Sequence, residues 1–192
     1  GLWRPSGEAA VAALRARPGS ARPLNELGYL ALLRGQAAEA ARYLEAGVAR
    51  GTRGWSRQDE GVLRANLAEA YMRLGRRREA RRVLEAARRR APDSSLVEHN
   101  LGWLLFLEGD VPGAEAALRA AIRLAPEDPK PRVSWGRILL EKKDPRGALE
   151  KFLEASALAP ELPEARLGVM RARGLLERNG PVPPGRHEAE GW

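Results

Sequence analysis

The sequence predicts an all-α protein in which helical hairpins stack side by side into a solenoid. Three observations predict it. Four segments of the 192-residue chain align with one another, beginning at Leu27, Leu67, Leu101 and Trp135, at spacings of 40, 34 and 34 residues. Each segment places its apolar residues at helical period, and none reads as a strand. Gly and Pro fall between these stretches, where they stop helices. With 44% apolar and 30% charged residues the chain has material for a core. Its length suits one or two domains of ~100–200 residues each.

The segments read LGYLALLRGQAAEAARYLEAG, LAEAYMRLGRRREARRVLEAA, LGWLLFLEGDVPGAEAALRAA and WGRILLEKKDPRGALEKFLEA. Leu27-Gly28, Leu67-Ala68, Leu101-Gly102 and Trp135-Gly136 share one column. Ala40, Ala80, Ala114 and Ala148 share a second, and Leu44, Leu84, Leu118 and Phe152 a third. Gly47, Ala87, Ala121 and Ala155 follow, and Pro92, Pro126 and Pro160 close the last three. Small residues let two helix backbones approach, large ones fill the space between them, and the proline ends the second helix. One hairpin cannot bury its apolar face alone, so neighbours share a continuous core.

This pattern resembles the tetratricopeptide repeat, whose 34-residue unit has these columns at positions 7–8, 20, 24, 27 and 32. The resemblance implies a right-handed α-solenoid of stacked helix-turn-helix repeats with terminal capping helices. Repeats are expected at 21–54, 61–94, 95–128 and 129–162, with an insertion at 55–60. Residues 163–179 read as a C-terminal capping helix and 180–192 as a Pro/Gly-rich tail. Position 4, where the family favours Trp or Leu, is Leu24 and then Arg64, Glu98 and Arg132.

Ten helices follow in order. The first, at 6–17, has Ser6 as N-cap and Pro18-Gly19 as its stop. Carried backward, the frame sets Ala10, Ala13 and Pro18 at positions 24, 27 and 32, so residues 1–20 are either half of a preceding repeat or an ordinary cap. The first hairpin is expected at 22–34 and 37–49. Six extra residues then intervene, and Ser56 with Asp59 caps an early, longer helix at 57–74. The remainder fall at 77–90, 95–108, 111–124, 129–142, 145–158 and 163–178. In the last, Arg173 occupies position 11, where the repeats have Ala31, Tyr71, Leu105 and Leu139. Asn179-Gly180 ends it, and the tail to Trp192 reads as extended.

In this family the first helices line the concave face. The resemblance therefore implies a groove bearing Tyr29, Leu33, Met72, His99, Trp103 and Phe106, with a cationic margin that includes Arg73, Arg137 and Arg171. An apolar strip with a polar rim suits a segment of another protein, helical or extended. The same apolar residues also read as packing between repeats. Asn25 and Tyr29 stand where some family members have the lysine and asparagine that clamp chaperone C-termini, so that ligand is not expected. Bacterial proteins with such repeats suggest an adaptor in pilus, secretion or envelope assembly, by analogy alone.

The formal net charge is +8, and all but four of the 33 basic residues are arginine. Eight of them crowd one second helix: Arg76, Arg77, Arg78, Arg81, Arg82, Arg88, Arg89 and Arg90. Such a convex basic patch could dock on nucleic acid or anionic lipid with steep salt dependence. A solvated face written by GC-rich codons explains it more simply. Aromatics interleaved with the arginines, which nucleic-acid binding favours, are missing. Self-association, with Trp192 or Leu2-Trp3 in a neighbour's groove, is a third reading.

Catalysis finds no foothold. No cysteine occurs, which excludes disulfides, zinc-thiolate sites, iron–sulfur clusters and thiol nucleophiles, and leaves the compartment open. The histidines are His99, on the groove side, and His187 in the tail. Phosphate-loop, HExxH, GxSxG and calcium-loop spacings are all missing, so no cofactor or metal is expected. No run approaches the ~18–20 apolar residues that span a bilayer. Residues 1–20 lack a signal-peptide pattern, and a start at Gly1 suggests a piece of a longer chain.

Overall fold

A computed structural model describes residues 7–178. Ser6, Asn179-Gly180, His187, the tail, and both Leu2-Trp3 and Trp192 lie outside the described residues, so the expectations attached to them stand apart. The fold is an all-α helical-repeat solenoid. Ten helices occur among the described residues: α1 (Gly7–Ala16), α2 (Arg22–Leu33), α3 (Ala37–Arg50), α4 (Arg57–Arg73), α5 (Arg77–Arg90), α6 (Ser95–Leu107), α7 (Val111–Leu124), α8 (Lys130–Glu141), α9 (Pro145–Leu158) and α10 (Pro163–Arg178). Every helix end inside the described residues, those at Gly7 and Arg178 aside, falls within one residue of the expected one.

The helices form two compact units, divided after Ala125. In the first, α2–α3, α4–α5 and α6–α7 are hairpins, and α1 packs on α2 as α3 packs on α4 and α5 on α6. The first helices α2, α4 and α6 lie side by side. In the second unit α10 packs on both members of the hairpin α8–α9.

Repeat chemistry explains the hairpins. Leu44, Leu84, Leu118 and Phe152 are at most 1% exposed. Gly102 faces Leu118 so closely that a Cβ there would lie 2.9 Å from Leu118 Cγ. Each hairpin turn ends its first helix with a hydrogen bond from the third residue after that helix back five positions: Gln36 N–H to Ala31 O, Arg76 to Tyr71, Asp110 to Leu105 and Asp144 to Leu139, all 2.9 Å. Ser56 Oγ accepts from Asp59 N–H at 3.0 Å, capping the long α4 as expected. Asp110 and Asp144 cap α7 and α9 in the same way, accepting from Gly113 and Gly147 N–H at 3.0 Å.

The charged residues at position 4 are held by partners. Glu98 is 3% exposed and takes Arg88 Nε at 2.7 Å. Arg64 pairs with Glu60, and Arg132 reaches Glu154 at 3.2 Å and Pro126 O at 2.8 Å. A buried charge needs such pairing because water no longer solvates it.

Candidate functional site

Position 6 of the repeat builds the face on which the expected site lies. Asn100 Nδ2 donates to Ala65 O at 2.8 Å, joining α6 to α4. Asn66 Nδ2 donates to Asn25 Oδ1 at 3.1 Å, joining α4 to α2. Arg73 Nη1 donates to Leu32 O at 2.7 Å, a second tie between the same helices. In each pair, position n of one first helix meets position n − 1 of the preceding one, so groove positions line up in rows. Both asparagines fall at the same repeat position in the sequence, and only the structure shows them setting this register.

Tyr29 and Leu33 stand on α2, 40% and 66% exposed. Trp103 and Phe106 stand on α6 with ring centroids 5.4 Å apart and planes tilted by 41°. Both rings are half-buried, and His99 lies one turn before Trp103 on the same helix. Trp103 and Leu107 also pack against the first unit's core, so the packing reading holds for part of their surface.

The middle helix differs from expectation. Met72 is only 9% exposed and belongs to the core, so it offers a partner almost no surface. Arg73 is committed to Glu69 and to Leu32 O and is no free margin charge. The face in the first unit is thus two apolar flanks, on α2 and α6, with the Glu69–Arg73 ion pair on α4 between them. Arg137 and Arg171 are exposed on α8 and α10 of the second unit.

The arginine-rich helix α5 is less free than its sequence suggests. Arg76 bonds Glu79 at 2.9 Å and lies over the Tyr71 ring at 4.3 Å, reaching Glu45 at 3.4 Å. Arg81 binds Glu108, and Arg88 binds Glu98. Hydrogen bonding to carboxylates holds Arg76 and Arg81 still more firmly protonated. Arg77, Arg78, Arg82, Arg89 and Arg90 remain exposed, toward the two ends and one side of the helix.

Among the described residues no cluster of three His, Cys, Asp or Glu is placed to hold a metal. No helix there is long and apolar enough to cross a membrane.

Comparison with known proteins matches residues 66–129 to a family model described as the tetratricopeptide repeat. No curated protein matches the chain. Among solved structures, a thermophilic TPR protein of Thermus thermophilus, TTC0263, is 24% identical, with a TM-score of 0.76 over 87% of this chain and 88% of its own. A chain of the APC/C hetero-tetramer Cut9-Hcn1 aligns with a TM-score of 0.72 and 18% identity over 88% of this chain, which spans 33% of that one. YrrB, described as a TPR protein with an unusual peptide-binding site, aligns with a TM-score of 0.57 and 18% identity over 88% of this chain and 81% of its own.

Proposed function

We propose that this chain, a tetratricopeptide-repeat protein and hence a protein-interaction scaffold, captures a segment of another protein on its first-helix face without catalysing a reaction. The repeats would run 21–54, 61–94, 95–128 and 129–162, with residues 55–60 inserted and helical segments flanking them at 1–20 and 163–179. The observation that carries the reading is the paired apolar flanks: Tyr29 and Leu33 on α2, Trp103 and Phe106 on α6. Large apolar groups left wholly or half exposed on one face are what a partner covers. Between the flanks Glu69 and Arg73 already satisfy each other, so an apolar segment can cross α4 without stranding a charge. Arg137 and Arg171 would receive acidic groups on the second unit. The peptide-binding site named for YrrB and the multi-protein setting of Cut9-Hcn1 support this direction. A place in a bacterial assembly machine is a narrower proposal that rests on analogy.

Selection of peptides from a random displayed library against the purified chain tests the reading. Trp103→Ala and Leu33→Ala are expected to weaken the selected peptides by roughly 30-fold each, the equivalent of about 2 kcal/mol for an interface anchor. The helical signal in circular dichroism should be kept. Equal binding by wild type and both variants would remove this face from the function.

A further inference from the structure

The residues that lengthen the first spacing build a pocket. The first two segments lie 40 residues apart where the others lie 34 apart. The added residues extend both the link from α3 to α4 and α4 itself, which has 17 residues against 13 in α6 and 12 in α8. The link closes in a turn, in which Gly54 takes φ of 77° and Trp55 N–H donates to Thr52 O at 2.9 Å. Trp55 is thereby held half-buried against the first unit's core, and Asp59 stands in the first turn of α4. Together with α2 they enclose a cavity of about 190 Å³, lined by Arg22, Asn25, Glu26, Trp55, Asp59 and Val62. That volume suits one side chain, since sites for whole small molecules run to ~300–1,000 Å³.

A guanidinium already lies in the pocket. Arg22 Cζ stands 5.3 Å from the centroid of the Trp55 ring, and its Nη2 is 3.5 Å from Asp59 Oδ2. The hold is loose. The Arg22 side chain is 60% exposed and that of Asp59 47%, and an ion pair so open to water contributes little. Glu26, the second carboxylate of the lining, takes no ion pair among the described residues. The pocket therefore offers a cation one indole face and two carboxylates, and its resident arginine engages only one of the two. A planar guanidinium is the group that can stack on the ring and still donate to both carboxylates. Asn25 lies one turn before Tyr29 on α2, so the pocket continues the α2 flank of the first-helix face.

We propose that this pocket is a subsite for an arginine side chain of the captured segment, and that Arg22 is a placeholder which that arginine displaces. The inference rests on the first-helix reading and adds to it the chemistry of one ligand side chain.

The probe is Nα-acetyl-arginine amide, with the neutral isostere Nα-acetyl-citrulline amide as its control. Neither is long enough to touch both apolar flanks, so their binding decides the pocket separately from the face. The readout is the indole N–H resonance of Trp55 in the full chain, one of five, identified by its loss in Trp55→Phe. The arginine probe should shift it at low salt and the citrulline probe should not. Arg22→Ala, which empties the pocket, should tighten the arginine probe by roughly 5–10-fold. Glu26→Gln should weaken it by roughly 3-fold. Equal shifts with both probes would overturn the proposal, as would an affinity that Arg22→Ala leaves unchanged or lowers. Should Arg22→Ala lose its helical signal in circular dichroism, the response of Glu26→Gln decides. For peptides selected on the face, replacing their arginine by citrulline should cost about 5-fold on wild type and almost nothing on the Glu26→Gln, Asp59→Asn double variant. A cost that stays the same on both would place that arginine elsewhere and sink the assignment.

Discussion

The hairpins α6–α7 and α8–α9 solve one packing problem with different side chains. In α6–α7 the central residue is Leu118, fully buried, and a single glycine on α6, Gly102, makes room for it. In α8–α9 the central residue is Phe152, 1% exposed. Here two glycines give way. A Cβ at Gly136 on α8 would lie 2.8 Å from the ring, and one at Gly168 on α10 would clash with it more severely. The larger ring demands space from the helix of its own hairpin and from the next one. Phe152 therefore ties all three helices of the second unit together, whereas the first unit spreads that duty over Leu44, Leu63, Leu84, Leu104 and Leu118.

The comparison breaks first at Phe152. Phe152→Ala is expected to cost about 3–5 kcal/mol, at the high end for a core truncation. Trp135, with the Lys151 ammonium 5.1 Å from its ring centroid, reports on that unit by its fluorescence during denaturant unfolding. Gly168→Ala should cost about 1–3 kcal/mol by overpacking. The sharper test is the pair. Phe152→Leu alone leaves a cavity, but in the Gly168→Ala background it should recover most of the lost stability, because leucine needs only one glycine. Additive losses would mean that the ring and Gly168 do not constrain each other.

A second difference lies in the turns between first and second helices of the first unit. Tyr71 is pushed up to about 12, first by burial and then by its hydrogen bond to Glu45. In the unfolded chain a tyrosine titrates near ~10. A raised acid in the folded state stabilises the fold below its unfolded value, and that contribution fades as pH climbs toward the folded value. Stability should therefore fall between pH 10 and about 12 in part through Tyr71. Tyr71→Phe is expected to lose about 1 kcal/mol at neutral pH, the net worth of a hydrogen bond. It should also flatten the alkaline decline, as denaturant midpoints measured across that range would show. An unchanged alkaline slope would assign the decline to other groups.

The helices and hairpins were legible because the same few columns recur at a fixed spacing, and each column has one steric meaning. The caps at Asp110 and Asp144 were just as readable in principle. Both precede a glycine by three residues, and a Cβ at Gly113 or Gly147 would crowd the capping carboxylate. The face on α2, α4 and α6 was legible in outline only. Position rules place Met72 and Arg73 on it, but they cannot say that Met72 is swallowed by its neighbours or that Glu69 claims Arg73 one turn away. Both depend on how closely two helices approach, and that spacing is set by Asn66 and Asn100 across chain separations no local pattern encodes. The arginine count of α5 misled for a similar reason. Glu45, Glu98 and Glu108 sit far from it in sequence and next to it in space.

The smallest expected effect comes from the turns themselves. Gly35, Gly75 and Gly109 take φ of 75°, 74° and 88° in the three hairpins of the first unit, and the second unit places Lys143 there at 61°. The surrounding hydrogen bonds match: Lys143 N–H reaches Leu140 O at 3.0 Å, as Gly109 N–H reaches Phe106 O at 3.0 Å. The turn therefore imposes the left-handed conformation whatever residue occupies it, and a lysine bears the clash of its Cβ with the following carbonyl. Glycine has no such clash but surrenders more freedom on folding, so only part of the difference is recoverable. Lys143→Gly is expected to raise stability by about 0.5–1 kcal/mol, and Gly109→Lys to lower it by about 1 kcal/mol. Measured together by denaturant unfolding, the two exchanges should have opposite signs and similar size, since both residues are exposed and neither side chain has a packing role to confuse the comparison. Equal losses from both would show that Lys143 contributes a contact beyond its backbone, and that the fourth turn is not a strained copy of the other three.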